Sequence, residues 1–239
     1  MMLKKILIFS ILLFITACID RDTGQLLNIN YDNGDIYLGE HKDSIPHGEG
    51  VYTFNNGNKY VGEFFKGKRS GKGVYTCLEY KYSGDFKNNL PNGEGVCLWS
   101  DGSKYTGECK DDKANGKGEL IFANGDKYIG DFVNDSLTGK GVYTWNNGDE
   151  YVGDLNCGIM HGQGTYRIPA DDTNPEEYWT GRFQNGFISG QAKWFVDNQL
   201  RYEGEFQNDL ENGYGIKYTK DLQYGYYEGE FKDGEKHGI

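Results

Sequence analysis

The feature that most constrains the fold is a short motif, an aromatic residue followed two positions later by glycine, which recurs along most of the chain. Its spacing is 22 or 23 residues, except for two longer intervals of 28 and 25 residues. A fixed period of this length is the signature of a repeat protein, in which each repeat packs on its neighbours. The nine repeats start at Tyr37, Tyr60, Tyr82, Tyr105, Tyr128, Tyr151, Trp179, Tyr202 and Tyr227.

A second glycine keeps the same register and helps to define the local structure. It lies 11 residues after the starting aromatic in all nine repeats. Within a repeat, alternation places Tyr128 and Phe132 on one side of a first strand. On the second strand, Tyr143 shares a side with the residues two positions before and after it. Asn-Gly and Asp-Gly pairs follow, and these favour tight turns. The pattern predicts one β-hairpin per repeat.

The chain is rich in both glycine and aromatic residues, with 36 Gly, 19 Tyr and 13 Phe. A turn centred on Gly148 would place large residues opposite glycines, so that rings lie flat over bare backbone. This hypothesis explains why the two residue types occur together. It predicts the cross-strand pairs Trp145 with Tyr151, Tyr143 with Gly153, and Gly141 with Leu155.

The repeat resembles the MORN repeat (membrane occupation and recognition nexus), and residues 128–148, YIGDFVNDSLTGKGVYTWNNG, match its pattern nearly throughout. The resemblance extends over residues 31–239. It implies an all-β fold, an elongated single-layer antiparallel sheet of about eight to nine consecutive β-hairpins. The structural residues that carry the pattern include Tyr37, Gly39, Gly48, Gly50, Tyr60, Gly62, Gly71, Gly73, Tyr128, Gly130, Gly139 and Gly141.

The N-terminus differs from the rest of the chain. Two lysines precede the apolar run Ile6–Ile15, and Thr16-Ala17-Cys18 follows. A basic start, a short apolar run and small residues are typical of a secretory signal. The segment also resembles the lipobox of bacterial lipoproteins, which implies cleavage before Cys18 and acylation of that cysteine. A plain secretory signal is the alternative.

These observations predict three segments. Residues 1–17 are a signal peptide, residues 18–30 a lipid-anchored tether, and residues 31–239 the repeat array. Removal of the signal changes the formal net charge from −11 to −13, since two lysines and no acid are lost. An acidic balance disfavours broad electrostatic binding to nucleic acid or to anionic lipid.

The Gly71-Lys72-Gly73 triplet suggests a phosphate-binding loop, but the repeat register excludes it. The equivalent triplets carry Glu49, Glu94, Gln163 and Gln191 in place of Lys72. A P-loop also needs Ser or Thr after its lysine and a helix behind it. The pattern predicts no nucleotide cofactor.

The longest departure from the period is the acidic insertion at residues 169–177. Its carboxylates would suit Ca²⁺, although the spacing matches no EF-hand loop. Loops projecting from a rigid scaffold often carry specificity, so we interpret this one as a partner-contact loop. Its acidic residues are Asp171, Asp172, Glu176 and Glu177.

The cysteines and histidines do not form a recognisable site in the sequence. Cys77, Cys97 and Cys109 occupy positions where other repeats have aromatic residues, which indicates apolar packing. Cys97 and Cys109 lie diagonally across neighbouring strands, too far apart for easy bridging. Three histidines precede the same repeat glycine in separated repeats and so belong to turns: His47, His161 and His237. No metal, cofactor or catalytic residue is predicted.

The function that these features favour is a non-enzymatic scaffold in a bacterial cell envelope. It is tethered to a membrane through acylated Cys18, at the outer membrane or cell surface rather than the inner membrane, and binds a protein partner on a face lined with exposed rings. The alternative is binding of lipid headgroups or carbohydrate by that aromatic face. An unpaired strand near Tyr227–Phe231 would allow a homodimer.

Overall fold

The computed structural model describes residues 26–219 and 225–238. This part of the chain consists of strands and connecting turns and contains no helix. It divides into two compact units, with the boundary between Lys113 and Ala114. In each unit the strands form an antiparallel sheet in which consecutive strands are neighbours. The all-β prediction of one hairpin per repeat is confirmed.

The N-terminal unit contains the first eight strands. They are β1 (Leu27–Asn30), β2 (Ile36–Lys42), β3 (Ile45–Thr53), β4 (Lys59–Phe65), β5 (Lys68–Thr76), β6 (Tyr80–Lys87), β7 (Leu90–Trp99) and β8 (Lys104–Lys110).

The remaining strands belong to the C-terminal unit, although the first residue of β9 lies on the boundary. They are β9 (Lys113–Ile121), β10 (Lys127–Val133), β11 (Ser136–Thr144), β12 (Glu150–Asn156), β13 (Ile159–Ile168), β14 (Glu177–Gln184), β15 (Phe187–Val196), β16 (Gln199–Gln207), β17 (Leu210–Tyr218), β18 (Tyr226–Lys232) and β19 (Glu235–His237).

The register between repeats differs from the predicted one by two residues. Gly141 pairs with Gly153, and Tyr143 pairs with Tyr151. The predicted pairing of rings with glycines directly across the strands is therefore wrong. The connection is a five-residue loop, in which the Trp145 N–H donates to the Asp149 carbonyl at 2.9 Å. Its centre lies at Asn147, one residue before the glycine on which the prediction centred it.

Instead, glycines pair with glycines across the strands, and each tyrosine ring lies over the glycine of its own strand and the glycine paired with it. The Tyr60 ring runs along β4 so that it lies over Gly62 and Gly73, and a Cβ at either glycine would collide with it. The Tyr60 hydroxyl donates to the Glu63 carbonyl at 3.0 Å. Eight repeats share this bond, at 2.5 to 3.2 Å, from Tyr37, Tyr60, Tyr82, Tyr105, Tyr128, Tyr151, Tyr202 and Tyr227.

A ladder of edge-to-face rings forms the core. Phe64 packs on Tyr37 and Tyr60 with ring centroids 5.0 and 5.2 Å apart, and Phe86 packs on Tyr60 and Tyr82 in the same way. Such pairs contribute about 0.5–1.5 kcal/mol beyond the area that they bury. Between Tyr37 and Tyr82, neighbouring repeats are therefore linked through a shared ring, Phe64 or Phe86.

The glycine 11 residues after the starting aromatic lies opposite a β-bulge in the first strand of the repeat. The register shifts between Gly62 and Phe64, opposite Gly71, whose φ of +62° favours glycine. The Glu63 carboxylate fills the space that a side chain at Gly71 would need, and it accepts a hydrogen bond from the Lys72 N–H at 2.8 Å. The acidic residue of the repeat motif is thus a structural acceptor.

Side chains also link consecutive loops. The Asp35 carboxylate accepts from the Tyr52 hydroxyl at 2.7 Å and from the Asn55 N–H at 2.8 Å. These two bonds hold the pKa of Asp35 below its ordinary value. The Asp126 carboxylate accepts the equivalent hydrogen bonds from the Tyr143 hydroxyl and the Asn146 N–H.

Both ends of the array differ from expectation. Leu27–Asn30, placed in the tether by the sequence, forms β1 and pairs with β2, because alternating Leu27 and Ile29 pack against the aromatic cluster. At the other end, β19 pairs with Glu230–Lys232 of β18, so that part of the predicted free edge is covered. Within the described part of the chain, Tyr226–Gly229 keeps an edge without a partner strand on that side.

Candidate functional site

The two faces of the sheet differ in kind, and the tyrosine face is not the open ring surface that the sequence suggested. Five starting tyrosines have a relative exposure of 0%, and the ladder phenylalanines are buried as well. The prediction of exposed rings is wrong at these positions, because each ring lies flat on its own strand and is covered by its neighbours. The five tyrosines are Tyr37, Tyr60, Tyr128, Tyr151 and Tyr202.

Two basic residues of repeat 2, Arg69 and Lys72, are engaged within the protein. Lys72 pairs with Asp85 at 2.7 Å. The Arg69 guanidinium lies on the tyrosine face at 5.2 to 5.8 Å from four ring centroids, a cation–π arrangement, and burial lowers its pKa. The caging rings are Phe54, Tyr60, Tyr75 and Phe86.

The opposite face of the N-terminal unit carries a continuous line of small, mostly aliphatic side chains. Each member pairs directly with the next across β2–β8. All are half-buried except one exposed serine. This aliphatic stripe consists of Leu38, Val51, Val61, Val74, Ser83, Val96 and Thr106.

Charged residues flank the stripe on both sides, two residues away along the strands. On one side is the lysine row, formed by Lys59, Lys81 and Lys104 with Thr53, Thr76 and Leu98 between or beside them. On the other side is the acidic row, formed by Glu40, Glu49, Glu63, Asp85, Glu94 and Glu108, which Lys72 interrupts.

The stripe lines a groove of about 800 Å³, which Leu26 joins at the N-terminal side. Its charged lining residues are Lys59 and Lys81 on one side and Glu49, Lys72 and Glu94 on the other. Two members of the acidic row, Glu49 and Glu63, stand directly opposite each other. Burial, followed by the charges of Glu63 and Glu40, raises the pKa of Glu49. At the β2–β4 end of the acidic row, Glu40, Glu49 and Glu63 therefore bring three carboxyl groups close together.

The C-terminal unit does not continue this arrangement. Its equivalent line starts at Glu119 and reaches Lys193 and Glu203, which pair at 2.9 Å. Between these charged residues lie Ile129, Val142, Val152, Thr165 and Thr180. A smaller groove of about 480 Å³ surrounds this ion pair. Among the described residues, a line without a charged member across seven strands is thus a feature of the N-terminal unit.

The acidic insertion between β13 and β14 is held by internal contacts. Asp171 accepts bonds from the side chain of Asn174 and from the Thr173 N–H and hydroxyl, which hold its pKa far below its ordinary value. Glu176 pairs with Arg167 at 2.5 Å. Glu177 accepts from the Trp194 indole at 3.1 Å, and Asp172 is exposed.

Other sequence candidates are dispersed. The structure contains no disulfide between Cys77, Cys97, Cys109 and Cys157, and Cys157 is exposed in a turn. Among residues 26–219 and 225–238, no three His, Cys, Asp or Glu side chains converge in a way that suits a metal ion. No helix in that same part of the chain has the length and apolar character needed to cross a membrane. Cys18 lies outside the described residues.

Sequence reasoning missed His41 and the groove itself. His41 occupies the ladder position that Phe64 and Phe86 hold in later repeats, and its Nδ1 is buried without a hydrogen-bond partner. The groove requires the correct register, because only then do the residues after each starting aromatic line up with those of the second strand. A recurring aliphatic residue at these positions was the available signal.

Several solved structures are distantly similar to the chain. The TCP domain of SAS-4 (dCPAP) of Drosophila melanogaster, in complex with a proline-rich motif of Ana2 (dSTIL), is 15% identical over 60% of this chain and 84% of that chain, with a TM-score of 0.35. A streptogramin B lyase is 14% identical over 80% and 75%, with a TM-score of 0.19. An inactive virginiamycin B lyase from Staphylococcus aureus with quinupristin is 15% identical over 87% and 74%, also with a TM-score of 0.19.

No curated protein matches the chain. A model of the MORN repeat family matches it eight times, at residues 37–59, 60–77, 82–104, 105–127, 128–150, 151–173, 202–221 and 227–239. The hairpin of β14 and β15, which starts at Trp179, lies between two of these matches and continues the same pairing, with Gly181 opposite Ala192. The matches cover most of the sequence, and the chain therefore belongs to the MORN repeat family.

Proposed function

We propose that the protein is a non-enzymatic scaffold of a bacterial cell envelope, anchored in a membrane through acylated Cys18, and that it binds a protein partner. The observation that carries the binding part is the groove of the N-terminal unit, which combines an aliphatic stripe with two rows of opposite charge. Apolar surface rimmed by polar residues is typical of interaction sites.

The anchor is supported by the N-terminal sequence alone. Lys4 and Lys5, the apolar run Ile6–Ile15 and the small residues before Cys18 follow the order of a lipoprotein signal. Several acyl chains, at about 0.8 kcal/mol per buried methylene, would hold the chain stably on a membrane.

The alternative, ligand binding by the aromatic face, receives less support. Seven of the eight starting tyrosines are buried, and Arg69 and Lys72 are engaged within the protein. A lipid-headgroup clamp needs clustered free cations. The groove of the N-terminal unit is accessible and carries half-buried aliphatic side chains along its floor.

Anchoring is tested by expressing the full-length chain and its Cys18→Ser variant in a bacterium supplied with a labelled fatty acid. We expect the parent chain to carry the label and to sediment with membranes, and the variant to lose both properties. Unchanged labelling and sedimentation of the variant would contradict the anchor.

Partner binding is tested by placing a photo-crosslinking amino acid at single positions in living cells. A probe at Val61, in the stripe, is compared with one at Val152, which holds the same repeat position in the C-terminal unit. We expect a discrete protein adduct from Val61 and a weaker one, or none, from Val152. Equal adducts from both positions, or none from either, would count against this surface.

A further inference from the structure

We propose that the groove of the N-terminal unit binds an amphipathic α-helix of the partner, which has basic residues along one flank of its apolar stripe and acidic residues along the other. This inference rests on the proposed function, since it specifies the partner element for the same surface. It is carried by the dimensions of the groove and by the opposite charges of its two sides.

The width of the groove fits a helix. The lysine row and the acidic row are four residues apart along each strand, which corresponds to about 13 Å. An α-helix with its side chains is about 10–12 Å across. A helix on the aliphatic stripe would therefore bring its two flanks within reach of both charged rows.

The length of the groove sets the length of the helix. The stripe crosses seven strands, β2–β8, at about 4.8 Å per step, which gives about 29 Å. With a rise of 1.5 Å per residue, a helix of about 19 residues covers this distance. Its apolar positions would recur every three or four residues to stay on the stripe.

The charges specify how the helix is oriented. Basic residues of the helix would face the acidic row, where Glu40, Glu49 and Glu63 lie close together and the pKa of Glu49 is raised. Acidic residues on the other flank would face Lys59, Lys81 and Lys104. Reversing the helix end to end exchanges its flanks, so only one direction satisfies both rows.

Other occupants fit less well. A second copy of the same face would place one concave groove against another and enclose a void, which costs packing energy. A single extended strand presents one line of side chains to the sheet and leaves both charged rows without partners. An anionic membrane surface would be repelled by the acidic row.

The experiment uses synthetic 19-residue helical peptides and the full-length chain with Cys18→Ser, which takes no acyl chain. One peptide has a leucine stripe with lysines on one flank and glutamates on the other. Two controls keep the stripe but carry lysines, or glutamates, on both flanks. We expect the split-flank peptide to bind about tenfold more tightly than either control, since each control loses two or three favourable pairs.

Matched protein variants locate the binding. Val61→Lys places a charge in the stripe, and we expect it to weaken binding of the split-flank peptide about tenfold. Val152→Lys, at the same repeat position in the C-terminal unit, is expected to leave the affinity within about twofold. Circular dichroism of both variants checks that the sheet is intact.

The direction in which the peptide lies along the groove gives a readout that nonspecific hydrophobic binding would not produce. A photo-crosslinker on the peptide N-terminus should react near one end of the groove, at β2 or at β8. In a peptide with exchanged flanks, it should react near the other end. Reaction at the same end for both peptides, or equal affinity of all peptides, would overturn the proposal.

Failure of this inference can be distinguished from failure of the proposed function. Adducts from Val61 in cells, combined with no preference for the split-flank peptide, would mean that the groove binds a partner through another kind of element. If neither the Val61 adducts nor a preference for the split-flank peptide is observed, the groove takes no part in partner binding.

Discussion

At the scale of single residues, glycine and tyrosine in this array are two parts of one contact. The Tyr60 ring covers Gly62 and Gly73, and its hydroxyl donates to the Glu63 carbonyl at the far end. The ring cannot withdraw without losing that bond. Glycine is therefore needed at both positions under the ring, in its own strand and in the neighbouring strand.

The first prediction concerns Gly73→Ala in β5. Its methyl group would overlap the Tyr60 ring, and overpacking of this kind costs about 1–3 kcal/mol of unfolding free energy. Urea unfolding of the two chains measures the difference. Gly57→Asn is the control, because nothing lies within 4 Å of that position and asparagine tolerates its φ of +89°. A loss for Gly57→Asn as large as that for Gly73→Ala would contradict the overpacking account.

At the scale of strands, the acidic row places like charges on neighbouring strands beside the proposed binding surface. Glu49 on β3 and Glu63 on β4 are directly opposite, and like charges in such pairs destabilise a sheet. A carboxyl whose pKa is raised by folding favours the folded state while protonated, and it loses that contribution as the pH rises through the folded pKa.

The second prediction follows from this loss of stability as the pH rises. Glu49→Gln should stabilise the free protein at pH 7 by about 0.5 kcal/mol, and the gain should disappear near pH 3.5, where the carboxyl is protonated in both states. Urea midpoints at the two pH values measure it. The matched control is Glu94→Gln, at the same repeat position but on an exposed side chain, which should change stability less. A gain that persists at pH 3.5 would refute the charge explanation.

How far prediction from the sequence reaches can be seen in particular strands. The period and the Asn-Gly pairs sufficed for the hairpins, because strand alternation and turn chemistry are local. The register between β11 and β12 did not follow, since Asn147-Gly148 is compatible with both a shorter turn and the five-residue loop that Trp145 and Asp149 close. A two-residue error preserves each side chain's face but changes its partner.

The groove was missed for a related reason. Alternation indicates that Val61 and Tyr60 lie on opposite faces, but it does not indicate which face stays accessible. Aromatic rings were taken as the exposed surface, whereas Tyr60 lies flat over backbone and is buried. The opposite face carries smaller side chains, and their line across the strands becomes visible only when the pairing of each strand is known.

At the scale of the whole molecule, the buried tyrosines link stability to alkaline pH. Burial, followed by nearby carboxylate charges, raises the pKa of Tyr128, Tyr151 and Tyr202 to about 12. In an unfolded chain tyrosine ionises near pH 10. The folded form therefore holds these protons more tightly, and their contribution to stability is complete below pH 10 and lost as the pH rises towards 12.

The third prediction is that the sheet unfolds between about pH 10 and pH 12 as these tyrosines ionise. Absorbance at about 295 nm follows tyrosinate, and far-ultraviolet circular dichroism follows the sheet. We expect a late fraction of the tyrosinate signal to appear together with loss of the sheet. The chain in urea, where every tyrosine should titrate near pH 10, is the control. Full ionisation near pH 10 with the sheet intact would contradict the packing described for the rings.

The repeat-to-repeat ring contacts have a consequence for how such a protein changes over evolutionary time. Each repeat adds two strands, which would lengthen the groove by about 9.6 Å, or by a little over six residues of the proposed helix. Duplication or loss of a repeat within the N-terminal unit preserves both charged rows, because the repeats that start at Tyr37, Tyr60 and Tyr82 contribute equivalent residues, the acids Glu40, Glu63 and Asp85 and the lysines Lys59, Lys81 and Lys104. Under the proposed function, the number of repeats would therefore set the length of the target that the protein accepts.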